Sequence, residues 1–195
     1  LPGGKEQIAG EYQPGWMLLS YGKKVSVSSS LEGYPAENIV DEDARTAWVA
    51  QSNRDMEWAQ VDLQRLSSIH AIQVNFDEYG ANQKGAVSGV YQSYLIYASV
   101  NGEDWSLVVD YGTKKTDTPH DYIEFEEPFK ARYIKLQNKE YMVSENFSVR
   151  DLRIFGKGQG STPRAVNDFT VERDEADPCK ARLCWEAVPD AQGYI

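Results

Sequence analysis

A chain of 195 residues with 41% hydrophobic and 12% aromatic side chains can build one packed core and part of a second, and is too apolar for a disordered segment. Its formal net charge of −10 disfavours nucleic acid and anionic membrane surfaces, which reward clustered Lys and Arg, and no run reaches the roughly eighteen apolar residues of a membrane-spanning helix. The chain opens Leu1-Pro2-Gly3-Gly4 with neither methionine nor a signal pattern, so it reads as an excerpt from a longer protein with any targeting segment upstream.

Residues 1–15 read as a lead-in. Period-two alternation then recurs from residue 24 to 156. "KVSVS" puts Val25 and Val27 on one face, "QVDLQ" does so with Val61 and Leu63, and "IQVNF" with Ile72, Val74 and Phe76. "YLIYASV", "WSLVVDY", "YIEFEE", "RYIKLQ" and "LRIFG" follow, with Asn101-Gly102 predicting a hairpin and Glu127-Pro128 another turn. About eight short strands with no long amphipathic helix predict an antiparallel β-sandwich of jelly-roll type. The tryptophans Trp16, Trp48, Trp58, Trp105 and Trp185 mostly adjoin apolar runs, which places them in the core.

Residues 157–163 are rich in Gly, Ser and Pro and read as a linker. Beyond them, residues 164–195 hold two strand-like runs and the start of a third, which resembles the opening of a fibronectin type III sandwich. Cys179 and Cys184 lie about 17 Å apart along an extended strand, too far for a disulfide, and their spacing does not suggest zinc.

The stretch "NIVDEDARTAW" (38–48) crowds three carboxylates into one loop, where mutual repulsion favours either a cation among the oxygens or a plain acidic surface turn. An EF-hand loop beginning at Asp41 would need Gly at its sixth position and finds Thr46 there.

Taken in order, "KKVSVSSS" (23–30), "NIVDEDARTAW" (38–48), "WAQVDL" (58–63), "YLIYASVNGEDW" (94–105), "ARYIKL" (131–136) and "DLRIFG" (151–156) resemble a coagulation factor 5/8 type C, or discoidin, domain over residues 16–156. This fold is shared with carbohydrate-binding module family 32. "WMLLSYGKKV" (16–25), "DEDARTAW" (41–48), "PHDY" (119–122) and "RIFGKGQG" (153–160) resemble a narrower group, in which the domain follows the catalytic propeller of a glycoside hydrolase family 43 enzyme of the β-xylosidase or arabinofuranosidase kind. That resemblance implies a non-catalytic part of a bacterial protein that is secreted, periplasmic or displayed at the cell surface. Its partners would be poly- or oligosaccharide and the upstream catalytic domain.

The resemblance also implies a structural calcium, with sodium as the alternative cation. Its ligands would be the Asn38 carbonyl, the Asp41 carboxylate, the Asp43 carbonyl, the Thr46 carbonyl and hydroxyl, the Arg150 carbonyl and the Asp151 carboxylate. Two positions depart from the family pattern: Glu42 stands where Gly is usual, and Asp151 where Glu is usual.

Sugar modules place aromatic rings against a pyranose face and pair its hydroxyls with polar side chains. "LEGYPAE", "AQSNRDME" and "QNKEYMVSENF" offer Tyr34; Asn53, Arg54 and Asp55; and Tyr141 and Asn146. Against this stands the plainer expectation that the tyrosines pack beneath their loops and that Arg54 pairs with Asp55 or Glu57. The Gly-rich segment 77–93 adds Tyr79 and Tyr91. His70 and His120 lack a nearby nucleophile in sequence, and "SVSSS" reads as a polar strand end.

A carbohydrate-binding module is the leading reading. A structural accessory domain that binds no sugar is the alternative, and an exposed Trp16 segment would favour it. A hydrolase in its own right would need paired carboxylates across a cleft.

Overall fold

Two layers of antiparallel sheet are produced by two long strands that serve both. The computed structural model describes residues 15–81 and 89–158, and in a second unit residues 166, 169–174, 176–177 and 179–186. The strands of the first unit are β1 (Met17–Leu18), β2 (Lys24–Val27), β3 (Trp48–Val49), β4 (Trp58–Phe76), β5 (Gln92–Ser99), β6 (Ser106–Tyr111), β7 (His120–Tyr141) and β8 (Ser148–Lys157). The sheet path is β1-β8-β4-β7-β5-β6, with β2 added on β4 and β3 on β8. A short 3-10 helix, Ala36–Val40, packs against β8.

The first half of β4 pairs with β2 and with the second half of β7, whereas its second half pairs with β8 and the first half of β7. Register shifts between Asp62 and Ser67 and between Ile69 and Ala71 mark where β4 bends from one layer to the other. The alternation read from the sequence sets what each layer turns inward: Val61, Ile134, Leu136 and Ile96 from one, Ile72, Val74, Leu152 and Ile154 from the other, all fully buried. Trp48 sits among them with Phe147 edge-on at 5.8 Å, and its indole N–H donates to the Ser29 carbonyl at 2.9 Å. Burying so large a ring contributes about 3 kcal/mol.

Two expectations need correction. Glu127-Pro128 is not a turn between strands; β7 runs through it, and residues 125–128 fall within the register shift, where a Pro without an N–H breaks no ladder bond to β4. The Asn101-Gly102 hairpin is present, joining β5 to β6 through six residues with Gly102 at φ 84°. Of the five tryptophans only Trp48 is fully buried: Trp16 and Trp185 are 38% and 37% exposed, and Trp58 and Trp105 are half-buried on an outward sheet face.

The chain divides at Gln159 and Gly160 into two units. In the second, β9 (Thr170–Arg173) and β10 (Ala181–Cys184) form an antiparallel pair, with Phe169 and Trp185 stacked at 6.5 Å and both cysteines free and exposed. Residues 1–14, 82–88 and 159–165, which include most of the lead-in and linker, lie outside the described residues.

Candidate functional site

The loops following β2, β3, β4 and β7 meet at one end of the sandwich. Backbone bonds tie them: Leu31 N to Val49 O at 2.7 Å, Phe147 N to Ser52 O at 2.9 Å, and Asp77 N to Ser148 O at 3.1 Å. An open depression of about 510 Å³ lies there, lined by Ser28, Ser29, Gln51, Ser52, Arg54, Asp55, Met56 and Glu57.

Glu57 is its chemical centre, and no local pattern in the sequence marks it. Ser28 donates a short hydrogen bond to Oε2, Ser29 donates to the same oxygen at 2.8 Å, and Ser52 donates to Oε1 at 2.7 Å. Burial alone would raise the Glu57 pKa, but the hydroxyls of Ser28, Ser52 and Ser29, with the Arg54 charge, outweigh it and hold the carboxyl below its ordinary value. "SVSSS" is therefore the clamp that keeps an ionised carboxylate in place. Beside it Met56 is 62% exposed at φ 80°, a conformation that a non-glycine residue adopts at a cost of about 1–2 kcal/mol. Asn138 holds the strained loop from below, its amide donating to the carbonyls of Asn53 at 2.8 Å and Arg54 at 2.9 Å.

The expected sugar contacts divide. Arg54 is exposed on the rim, and Asp55, also exposed, accepts from Lys139 at 2.5 Å. Tyr34 is half-buried with its ring edge-on to Tyr79 at 4.9 Å. Tyr141 is not available to a ligand. Only 1% exposed, it packs against Phe76 and Phe147, and its hydroxyl donates to the Asp77 carbonyl. Asn53 and Asn146 are scaffolding: Asn53 donates to the carbonyls of Tyr141 and Ser144, and Asn146 to that of Ala50.

The acidic loop lies between the helix and β3. Asp41 Oδ1 accepts from Asp43 N at 2.8 Å, and Thr46 Oγ1 stands 2.8 Å from Asp41 Oδ2 and 2.9 Å from the Asp43 carbonyl. One hydroxyl proton cannot serve both acceptors, so a lone pair is left over at the point where these oxygens converge. The Asp43 carboxylate turns outward to Arg45, and the Asn38 amide donates to the Ala47 carbonyl at 2.8 Å. The β3–β8 register sets Trp48 opposite Val149 and Val49 opposite Ser148, so the acidic loop enters β3 beside the stretch of β8 that holds Arg150 and Asp151. Asp151 is 8% exposed and accepts from Asn75 at 2.8 Å; burial raises its pKa, assisted by the Glu42 charge. Among the described residues no cluster of three His, Cys, Asp or Glu side chains forms a metal cage. A cation here would depend on carbonyl and hydroxyl oxygens, and the all-oxygen donor set fits a hard ion.

Glu42, in the place usual for Gly, is left-handed at φ 61°, as a tight turn there requires. Its carboxylate accepts from Nε and Nη2 of Arg153, at 3.1 and 2.9 Å. His120 Nδ1 lies 3.1 Å from Asn75 Oδ1, and His70 stacks on Trp16 at 5.0 Å.

The F5/8 type C domain family matches residues 24–152. The chain belongs to that family. Rat lactadherin (Rattus norvegicus) is 33% identical over 110 residues, which cover 53% of this chain and 25% of lactadherin. The chain thus spans about a quarter of that relative's length. Among solved structures, chitosan-binding module 1 of the chitosanase/glucanase from Paenibacillus sp. IK-5 superposes with a TM-score of 0.60 at 20% identity, covering 72% of this chain and 99% of that one. A family 32 carbohydrate-binding module from C. perfringens, solved with galactose, gives 0.56 at 19% identity, covering 72% and 98%. These likenesses show the discoidin β-sandwich fold.

Proposed function

We propose that the discoidin domain is a non-catalytic carbohydrate-binding module of a secreted bacterial glycoside hydrolase, taking glycan in the depression at its loop end. The observation that carries this reading is Glu57, an ionised carboxylate held by three serine hydroxyls at the base of an open hollow, with exposed Arg54 and Asp55 on the rim. A fixed acceptor beside a guanidinium suits sugar hydroxyls, which both donate and accept. Family 32 and chitosan-binding neighbours with this fold support the ligand class. Position supports it too: Met17 pairs with Gly156, so the chain joins and leaves the sandwich side by side at the far end of β8, roughly 30 Å from the loops. A module that binds glycan raises local substrate concentration for the domains it is joined to.

On the same reading the Asn38, Asp41, Asp43, Thr46, Arg150 and Asp151 oxygens hold calcium, with sodium as the alternative, and tie the early loop to β8. When bound, the ion supplies positive charge to neutralise the buried Asp151.

Calorimetric titration with xylan, arabinan and galactan oligosaccharides tests the proposal. Saturable heat that Arg54→Ala or Glu57→Gln abolishes in folded protein supports it; silence across a broad glycan array overturns it. The structural accessory reading draws on one feature, the exposure of Trp16 and Met17 beside β8, and gains if glycans fail.

A further inference from the structure

The outward face of the layer formed by β2, β4, β7 and β5 is unusual for a solvated sheet, which ordinarily turns polar side chains to water. Because Ala59, Val61, Ile134, Leu136, Tyr94 and Ile96 point inward, Trp58, Tyr133, Lys135, Leu95 and Tyr97 point out. Trp105, from the β5–β6 loop, adds its ring 6.5 Å from that of Tyr133.

Lys135 stands at the centre of these rings, its Nζ 4.0 Å from the Trp105 centroid and 5.4 Å from that of Tyr97. Neighbouring cations on the face are paired: Arg132 holds Asp62 through bonds of 2.8 and 2.9 Å, and Lys139 holds Asp55. Lys135 has no carboxylate partner among the described residues, and burial lowers its pKa. Asp62 and Asp55 are thus both engaged, and the exposed Glu103 and Asp104 belong to the loop that brings in Trp105, which leaves Lys135 as the cation set among the rings.

We propose that this face holds a run of an acidic glycan, with sugar rings over Trp105 and Tyr97 and a uronate carboxylate paired with Lys135. The Trp105 and Tyr97 rings offer the stacking a pyranose uses, and the Lys135 ammonium between them, held by no carboxylate among the described residues, supplies the charge complement. The inference rests on the loop depression being a glycan site, with which the face is continuous: the Gln137 amide donates to Met56 Sδ at 3.2 Å, and Lys139 reaches Asp55. From Lys139 to Tyr133 the strand runs roughly 20 Å, room for several further sugar rings.

Calorimetry with digalacturonide, hexagalacturonide and neutral galactan oligosaccharides of matched length tests this on wild type, Lys135→Gln, Trp105→Ala and Arg54→Ala. The hexauronide is expected to bind about tenfold tighter than the dimer, and Lys135→Gln to erase that gain without changing the melting temperature. Trp105→Ala should weaken the long chain alone. Hexauronide affinity left within about twofold by Lys135→Gln, or an equal gain from neutral hexamer, overturns the proposal. If Arg54→Ala weakens every oligosaccharide while the face variants change nothing, the loop site stands and the face fails. If none of these oligosaccharides binds, the face proposal falls, and the loop reading is decided by the broad glycan array.

Discussion

Glu42 and Arg153, 111 positions apart, form a two-pronged ion pair across the acidic loop, and the carboxylate belongs to a residue held in left-handed backbone at φ 61°. The strain costs about 1 kcal/mol relative to glycine, and the ion pair returns a comparable amount because both side chains are about two-thirds buried. Glu42→Ala keeps the strain and loses the pair, so it should destabilise by about 1 kcal/mol, whereas Glu42→Gly should lie within about 0.5 kcal/mol of wild type. Urea unfolding curves of the three proteins rank them. An alanine variant as stable as the glycine one would mean the backbone is not strained.

Calcium should stabilise the folded domain, because its oxygen donors are assembled only there. At about a hundredfold excess over the dissociation constant the increment is about 2.7 kcal/mol. It should disappear in Asp41→Ala, whose carboxylate contacts both Asp43 N and Thr46 Oγ1. Thermal melts with calcium, sodium and chelator check this; a calcium increment surviving Asp41→Ala would move the ion elsewhere.

Period-two alternation made the fold legible: Val61, Ile72, Val74 and Ile134 face inward as their spacing requires. The same parity, followed through "WAQVDL", puts Trp58 outward with Gln60 and Asp62, so that correction was available from the sequence. Tyr141 was not. Its burial depends on the β4 end, the β7 end and the β8 start meeting, a long-range arrangement with no local signature. Glu57 was hidden for a similar reason, since two of its three serines come from positions about thirty residues upstream, and only Ser52 shares its loop.

Acid should loosen the loop end before the core. The Glu57 pKa is lower folded than its ordinary value of 4.5, so its contribution is present above that value and is lost as pH falls through the lowered one. Glu57→Gln should flatten part of the acid limb of stability against pH while lowering stability at neutral pH. Denaturation midpoints measured across the acid range decide it. A variant with an acid limb unchanged from wild type would show that the serine clamp does not govern this carboxylate.

Gly156 gives a test that separates stability from binding. A Cβ there would stand 2.0 Å from the Ser68 carbonyl oxygen and 3.2 Å from Ile69 Cα, both backbone atoms of the strand β8 pairs with. No rotamer relieves a clash between two backbones, so Gly156→Ala must spread β8 from β4 where Met17 also pairs. The expected loss is about 3 kcal/mol by analogy with overpacked cores, read as a lower denaturation midpoint. The loop end lies roughly 30 Å away along β8, beyond a local register change. Glycan affinity should therefore match wild type wherever the variant is folded. A weakened affinity in folded Gly156→Ala would mean that the β1–β8 end and the loops are coupled, and the module could not be treated as a rigid mount for its site.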